Sequence, residues 1–195
     1  PRDELHPEPG HEQQHRPARV TDRVEAQLHV TVAGKGHARE NVVRVCFFRA
    51  SLESRRARHG ERSAHEEAQR WSERGLDLID AADDPQGLAM LAMTYVHSLR
   101  EQGQTQAARL WVQRALALKT LPPTMRAGLL TDRANLRLDS GEPLAAGLQD
   151  IEAARTLLAN APNAEQQWYL VRTEVELYRQ HGQMTSALDA ALRGL

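Results

Sequence analysis

Cysteine is almost missing from this 195-residue chain: Cys46 is the only one. That excludes an internal disulfide and any cysteine-built zinc cage, and we read Cys46 as a small buried apolar residue. Net charge is nearly missing too, at -1 near neutral pH. A general binder of nucleic acid or of membrane surfaces would be clearly basic, so we expect neither a direct nucleic-acid partner nor a membrane partner. No apolar run approaches the ~18 residues that a membrane helix needs, and the polar, Pro-rich start carries no visible signal peptide. The expected location is cytoplasmic. Lysine is scarce: of the 25 basic residues only Lys35 and Lys119 are lysine, which points to a GC-rich coding sequence. Residue 1 is Pro, the first Met is Met90, and the final "SALDAALRGL" stops inside a helical pattern. We therefore expect a fragment, or a chain whose start is unreliably placed, in which missing targeting signals mean little.

What is present is unevenly distributed. Residues 1–62 carry 12 Lys+Arg against 9 Asp+Glu, and residues 63–195 carry 13 against 17. Six of the nine His lie in the first part, and four of the nine Pro lie in the first 17 residues. Residues 1–19 have almost no apolar content beyond Leu5 and are expected to be disordered. Residues 20–62 are an uncertain segment. In "AQLHVTVAGKG", Leu28, Val30 and Val32 alternate as in a strand before a Gly turn. "NVVRVCFFRASLESRRARHG" begins like a strand, yet Val42, Val45, Cys46, Arg49 and Leu52 also fit a helix stripe.

From residue 63 the pattern is helical. Ser63 and Glu66 form a capping box. Leu88, Leu91, Ala92, Tyr95, Val96 and Leu99 make one wide stripe, and Trp168, Val171, Val175 and Tyr178 make another. The breakers "DAADDPQG", "KTLPPT" and "NAPNAE" punctuate the run, and their prolines Pro85, Pro122 and Pro162 recur at about 40 residues. Laying 66–78 over 106–118 matches Ala68 with Ala108, Trp71 with Trp111, Arg74 with Arg114, Leu76 with Leu116 and Leu78 with Leu118. A Gly followed five residues later by Ala occurs at Gly103, Gly141 and Gly182, with Ala108, Ala146 and Ala187. Each Gly is expected to end a helix in the left-handed region. Each Ala is expected to sit at a helix crossing, because its small side chain lets two helices approach.

This pattern resembles the tetratricopeptide repeat (TPR) family over about residues 60–195, through its Gly, second-helix Ala and late Pro. Arg133 and Arg137, where apolar residues are usual, depart from it, as does the period of about 40. The longer period is similar to the sensor regions of bacterial transcriptional activators, such as the large ATP-binding regulators of the LuxR class. The resemblance implies an all-α fold: a right-handed superhelical stack of antiparallel helix pairs, or α-solenoid, over 63–195. Pairs are expected at about 86–119, 124–160 and 164–195, with a helix at 64–80 before them whose partner is 41–59. It implies a non-catalytic protein- or peptide-binding module, the regulatory part of a larger regulator, with self-association possible. The groove would be lined by Met90, Met93, His97 and Arg100, by Thr131, Asn135 and Leu138, and by Tyr169, Arg172, Glu176 and Arg179. Arg172 and Arg179 would clamp a carboxylate, and Asn135 would hold a peptide backbone.

A rival reading rests on His11-Glu12-Gln13-Gln14-His15, which fits H-E-x-x-H. A metallopeptidase buries that motif in a core helix, with two His one turn apart, a Glu to activate water, and a third ligand. Here Pro9, Gly10 and Pro17 confine it to about two turns, and residues 1–19 offer nothing to bury. We read it as solvated His-rich sequence, with no metal, cofactor or catalytic residue expected. "AGKG" lacks the rest of a phosphate loop, the acidic "DAADD" reads as a loop with Asp83 or Asp84 near the next helix start, and Trp71 and Trp111 read as packing residues. The remaining alternative is a purely structural, self-associating helical array.

Overall fold

A computed structural model of the chain describes residues 36–59, 61, 63–79 and 84–194. The HEQQH motif, the expected disordered tail and the alternation at 28–32 lie outside the described residues. Among the described residues the chain is all-helical, with eight helices: α1 (Gly36–Arg58), α2 (Ser63–Leu78), α3 (Pro85–Glu101), α4 (Thr105–Leu116), α5 (Pro123–Asp139), α6 (Leu144–Asn160), α7 (Ala164–Gln180) and α8 (Met184–Arg193). The ambiguous stretch after residue 40 is thus a helix. Its buried residues Val42, Val43, Cys46, Ala50 and Ala57 recur at helical spacing, and that face packs on α2 more extensively than on any other helix.

Local chemistry sets the helix ends. Pro85 and Pro123 stand in the first turns of α3 and α5, where a missing N–H costs nothing. The Asp84 carboxylate accepts from Gly87 N–H at 2.7 Å, and Asn163 accepts from Gln166 N–H at 2.9 Å. Gly103, Gly141 and Gly182 have φ of 72°, 67° and 73°. Beside each, the next N–H reaches back five residues: Gln104 to Leu99, Glu142 to Arg137 and Gln183 to Tyr178, at 2.8–3.0 Å. The same Schellman end therefore occurs three times.

Packing follows a rule. Each helix packs on the next, and the odd-numbered helices also pack on one another, α1 on α3, α3 on α5 and α5 on α7. No two even-numbered helices touch among the described residues. The even helices each carry a buried small residue at matching places, in the series Ala68, Ala108, Gly147 and Ala187. This corrects one expectation: Gly147, not the half-buried Ala146, is the third member. The turn before α6 is one residue longer than those before α4 and α8, because Glu142 and Pro143 stand where the others have a single residue. At Gly147 a Cβ would come within 2.6 Å of Leu177 Cδ2.

The stripe on α3 is fully buried, from Leu88 to Leu99. On α7 the expected stripe is displaced. Trp168 is 63% exposed and Val171, Val175 and Tyr178 are half-buried, whereas Leu170, Thr173, Glu174 and Leu177 are buried. Cys46 is fully buried beside Trp71, and burial pushes its thiol up to about 11. Trp71 and Trp111 serve different clusters, so they form no shared cage.

Candidate functional site

The residues expected to line a groove all stand on the odd helices α3, α5 and α7, but they divide into two kinds. Thr131, Asn135 and Leu138 on α5 are 1%, 4% and 5% exposed. They are not open to a ligand, because α7 closes over them. Met90, Met93, His97 and Arg100 on α3 are half-buried. Met93 is held tightly: its methyl would stand 2.5 Å from a Cβ at Gly128 of α5. On α7, Tyr169 and Glu176 are half-buried, and Arg172 and Arg179 are exposed.

A polar seam joins these helices. The Asn135 side-chain N–H₂ donates to the Thr131 carbonyl at 3.1 Å, the Tyr169 hydroxyl at 3.1 Å and the Thr173 hydroxyl at 3.0 Å. The Tyr169 hydroxyl in turn donates to the Asp132 carboxyl at 2.9 Å, and Thr173 donates to the Tyr169 carbonyl. From the other side, Arg100 of α3 makes a two-pronged ion pair with Asp139 of α5. Asp132 is buried, and desolvation is the main cause that lifts its carboxyl to about 7, against the opposing pull of the Tyr169 hydrogen bond and the Arg100 charge. Burial likewise pushes the Tyr169 phenol well above its ordinary value, with the Asp132 carboxyl adding to the rise. Asp132, Asp139 and Thr173 were not singled out from the sequence. Each looks like a solvated position until helices about 40 residues apart are brought together.

The exposed part of α7 is a surface cluster. The Arg172 guanidinium lies over the Trp168 ring, 5.5 Å from its centre. Arg179 donates to both Glu176 oxygens at 2.8 and 2.7 Å, and Gln180 adds a third bond at 2.7 Å. Arg179, above all, therefore holds the Glu176 carboxyl down near 2. The two arginines expected to act together are used differently: Arg179 is already engaged by Glu176, and Arg172 is the one presented with an aromatic platform.

Arg133 and Arg137, the anomalies of the repeat pattern, face α6. Arg133 donates to both oxygens of the buried Asp150, at 3.0 and 2.5 Å, and Arg137 lies 2.9 Å from it. Arg137 and Arg109 both pair with Glu142. Arg109, Arg133, Arg137 and Glu142 border a cleft of about 110 Å³ with Val112 and Leu136. The carboxylates already fill the guanidinium forks, so we read this network as a joint between α4, α5 and α6. Arg155 is similar, bridging α6 to the buried Glu174 of α7 at 2.6 Å.

Among the described residues no group of three or more His, Cys, Asp or Glu is placed to hold a metal ion, and no helix is long and apolar enough to cross a membrane. The chain matches no protein-family model, and comparisons with curated proteins and with solved structures give no match.

Proposed function

We propose that the chain is a TPR-like repeat module that binds a protein or peptide on its row of odd helices and performs no catalysis itself. In this reading the helices are antiparallel pairs stacked into a right-handed solenoid. The module acts in the cytoplasm as the regulatory part of a larger bacterial regulator. One observation carries the proposal: among the described residues, neighbouring odd helices touch one another and even helices do not. One row is then continuous across the repeats, and a single extended ligand can touch several of them at once. The ligand contacts belong to side chains that remain accessible on that row: Met93, His97 and Arg100 on α3, and Tyr169, Arg172, Glu176 and Arg179 on α7. Thr131 and Asn135 shape that row from beneath.

Peptides displayed on phage and selected on the immobilised chain test this reading. Selected peptides should lose at least tenfold in affinity for the Met93→Ala/Arg172→Ala variant. A control pair, Arg70→Ala/Arg114→Ala, should bind as the wild type does. Both control residues lie on even helices, and their contacts are to Glu66, Glu67 and Trp111 of their own helices. Equal loss in both pairs, or loss only in the control, would place binding elsewhere.

A further inference from the structure

Gly75, Gly87, Gly128 and Gly147 stand inside α2, α3, α5 and α6. Alanine is the better helix former at any such place, so each glycine needs a reason. Three have one in their contacts. At Gly75 a Cβ would stand 2.7 Å from Leu91 Cδ1 and 3.0 Å from Cys46 Cβ, both in fully buried side chains. At Gly147 it would strike the buried Leu177, and at Gly87 the Asp84 carboxylate that caps α3. Gly128 differs. The atoms nearest to a Cβ there are the far ends of two side chains, the Met93 methyl of α3 at 2.5 Å and Gln166 Oε1 of α7 at 2.9 Å. Both side chains are half-buried and unbranched, so they can turn aside. Packing alone therefore does not call for a glycine at this place.

Gly128 also lies on the odd row. Gly128, Thr131 and Asn135 follow one another at i, i+3 and i+7 on the face of α5 that meets α3 and α7. Beside Gly128, Gln166 Oε1 is shut off from water and accepts no hydrogen bond among the described residues. A buried acceptor is unfavourable until a donor reaches it. No carboxylate is among the atoms nearest to the Gly128 position. A lysine ammonium would bring a charge there without a counter-charge, whereas a peptide N–H brings a neutral donor. A glycine is also what lets another backbone come close. We propose that the ligand of the odd row is an extended peptide that crosses α5 at Gly128, displaces the Met93 methyl and donates one backbone N–H to Gln166 Oε1. This rests on the peptide-binding reading above and adds to it the atoms that hold the ligand backbone.

A fluorescein-labelled peptide selected on the wild-type chain, followed by anisotropy, tests this alongside thermal melting. Gly128→Ala should melt no lower than the wild type, with the same helical circular dichroism, and should bind the peptide at least tenfold more weakly. Gln166→Met keeps the length of the side chain and loses the acceptor. It too should melt no lower, and it should bind about tenfold more weakly. The peptide is then N-methylated at one backbone position at a time. One position should weaken binding to the wild type about tenfold and binding to Gln166→Met at most about twofold, since the bond is already absent there. Gly128→Ala melting several degrees below the wild type would explain the glycine by packing and overturn the proposal. Undiminished binding by Gly128→Ala or by Gln166→Met overturns it, as does an N-methyl scan that affects the wild type and Gln166→Met alike at every position. In those cases, peptides that still lose affinity for the Met93→Ala/Arg172→Ala pair leave the odd-row reading standing. Peptides indifferent to that pair, or a selection that yields none, remove the odd-row reading and this contact with it.

Discussion

The front of the array and its middle share apolar packing and differ in the polar bonding added to it. At the front, α1, α2 and α3 meet through Val43, Leu76, Leu88 and Leu91, with Leu91 pressed close to Gly75. In the middle, α3, α5 and α7 meet through Arg100, Asp132, Asn135, Asp139, Tyr169 and Thr173. Apolar contact is strong but tolerant of small sliding. Hydrogen bonds fix angles and register, and a buried carboxyl adds sensitivity to pH. Both joints exclude water, the middle one through Leu130, Ala134, Leu170 and Leu177, and the front one also carries the Tyr95–Glu73 hydrogen bond; the middle adds a buried seam of directed bonds to its apolar packing.

Truncation of the apolar joint should have the largest effect. Leu91→Ala removes a fully buried side chain and should cost about 2–5 kcal/mol. Urea unfolding should give the same deficit at acid and at mildly alkaline pH. A deficit that changed with pH would break the contrast between the two joints.

Asp132→Asn should behave in the opposite way. Below about pH 4 the carboxyl is protonated in both folded and unfolded chains and its burial carries no ionisation penalty. Between there and about 7 the unfolded chain ionises while the native carboxyl keeps its proton, so this group's contribution to stability falls as pH rises. Above that range the loss is complete. Asparagine keeps an acceptor for Tyr169 and removes the titration. The stability of the variant relative to the wild type should therefore rise between about pH 4 and about pH 7, by at most about 4 kcal/mol. A flat difference would mean that Asp132 is not held protonated.

Coupling across the seam should be smaller. Asn135→Ala, Tyr169→Phe and the double variant should show an interaction free energy of about 0.5–3 kcal/mol, since the two side chains share a bond. Strict additivity would mean that the Asn135–Tyr169 bond carries no stability of its own, leaving Thr173 as the partner of Asn135 on α7. The smallest effect belongs to the turns, which both regions share. Gly141→Ala should cost about 1 kcal/mol, from the left-handed backbone alone, because a Cβ there meets nothing within 4 Å. A much larger loss in melting experiments would mean that the turn carries tertiary contacts as well.

The helix ends were legible in the sequence because each has a local cause. Pro85, Pro123 and the three turn glycines act within a few residues of themselves, and the bounds expected for helices within 86–119, 124–160 and 164–195 agree with those of α3 to α8 within a few residues. The buried stripe of α3 was legible for a similar reason, since one helix turn sets its spacing. The stripe of α7 was misread because two apolar faces compete on that helix, and spacing does not say which one meets α5 and α6.

By itself, then, the sequence determined the helical class, the turn positions and the period of about 40, all of which follow from backbone preference and local spacing. Only the tertiary structure decided which polar residues leave water. Asp132, Asn135 and Thr173 look like surface groups along their own helices and become a buried seam, joined by the half-buried Tyr169, once α5 and α7 meet. Arg133 and Arg137 look misplaced until Asp150 of α6 lies opposite them. Gly147 takes the buried place expected of Ala146 because a turn lengthened by one residue shifts the register of the following helix. Burial and partnership are properties of pairs of segments about 40 residues apart, and no local pattern encodes the pairing.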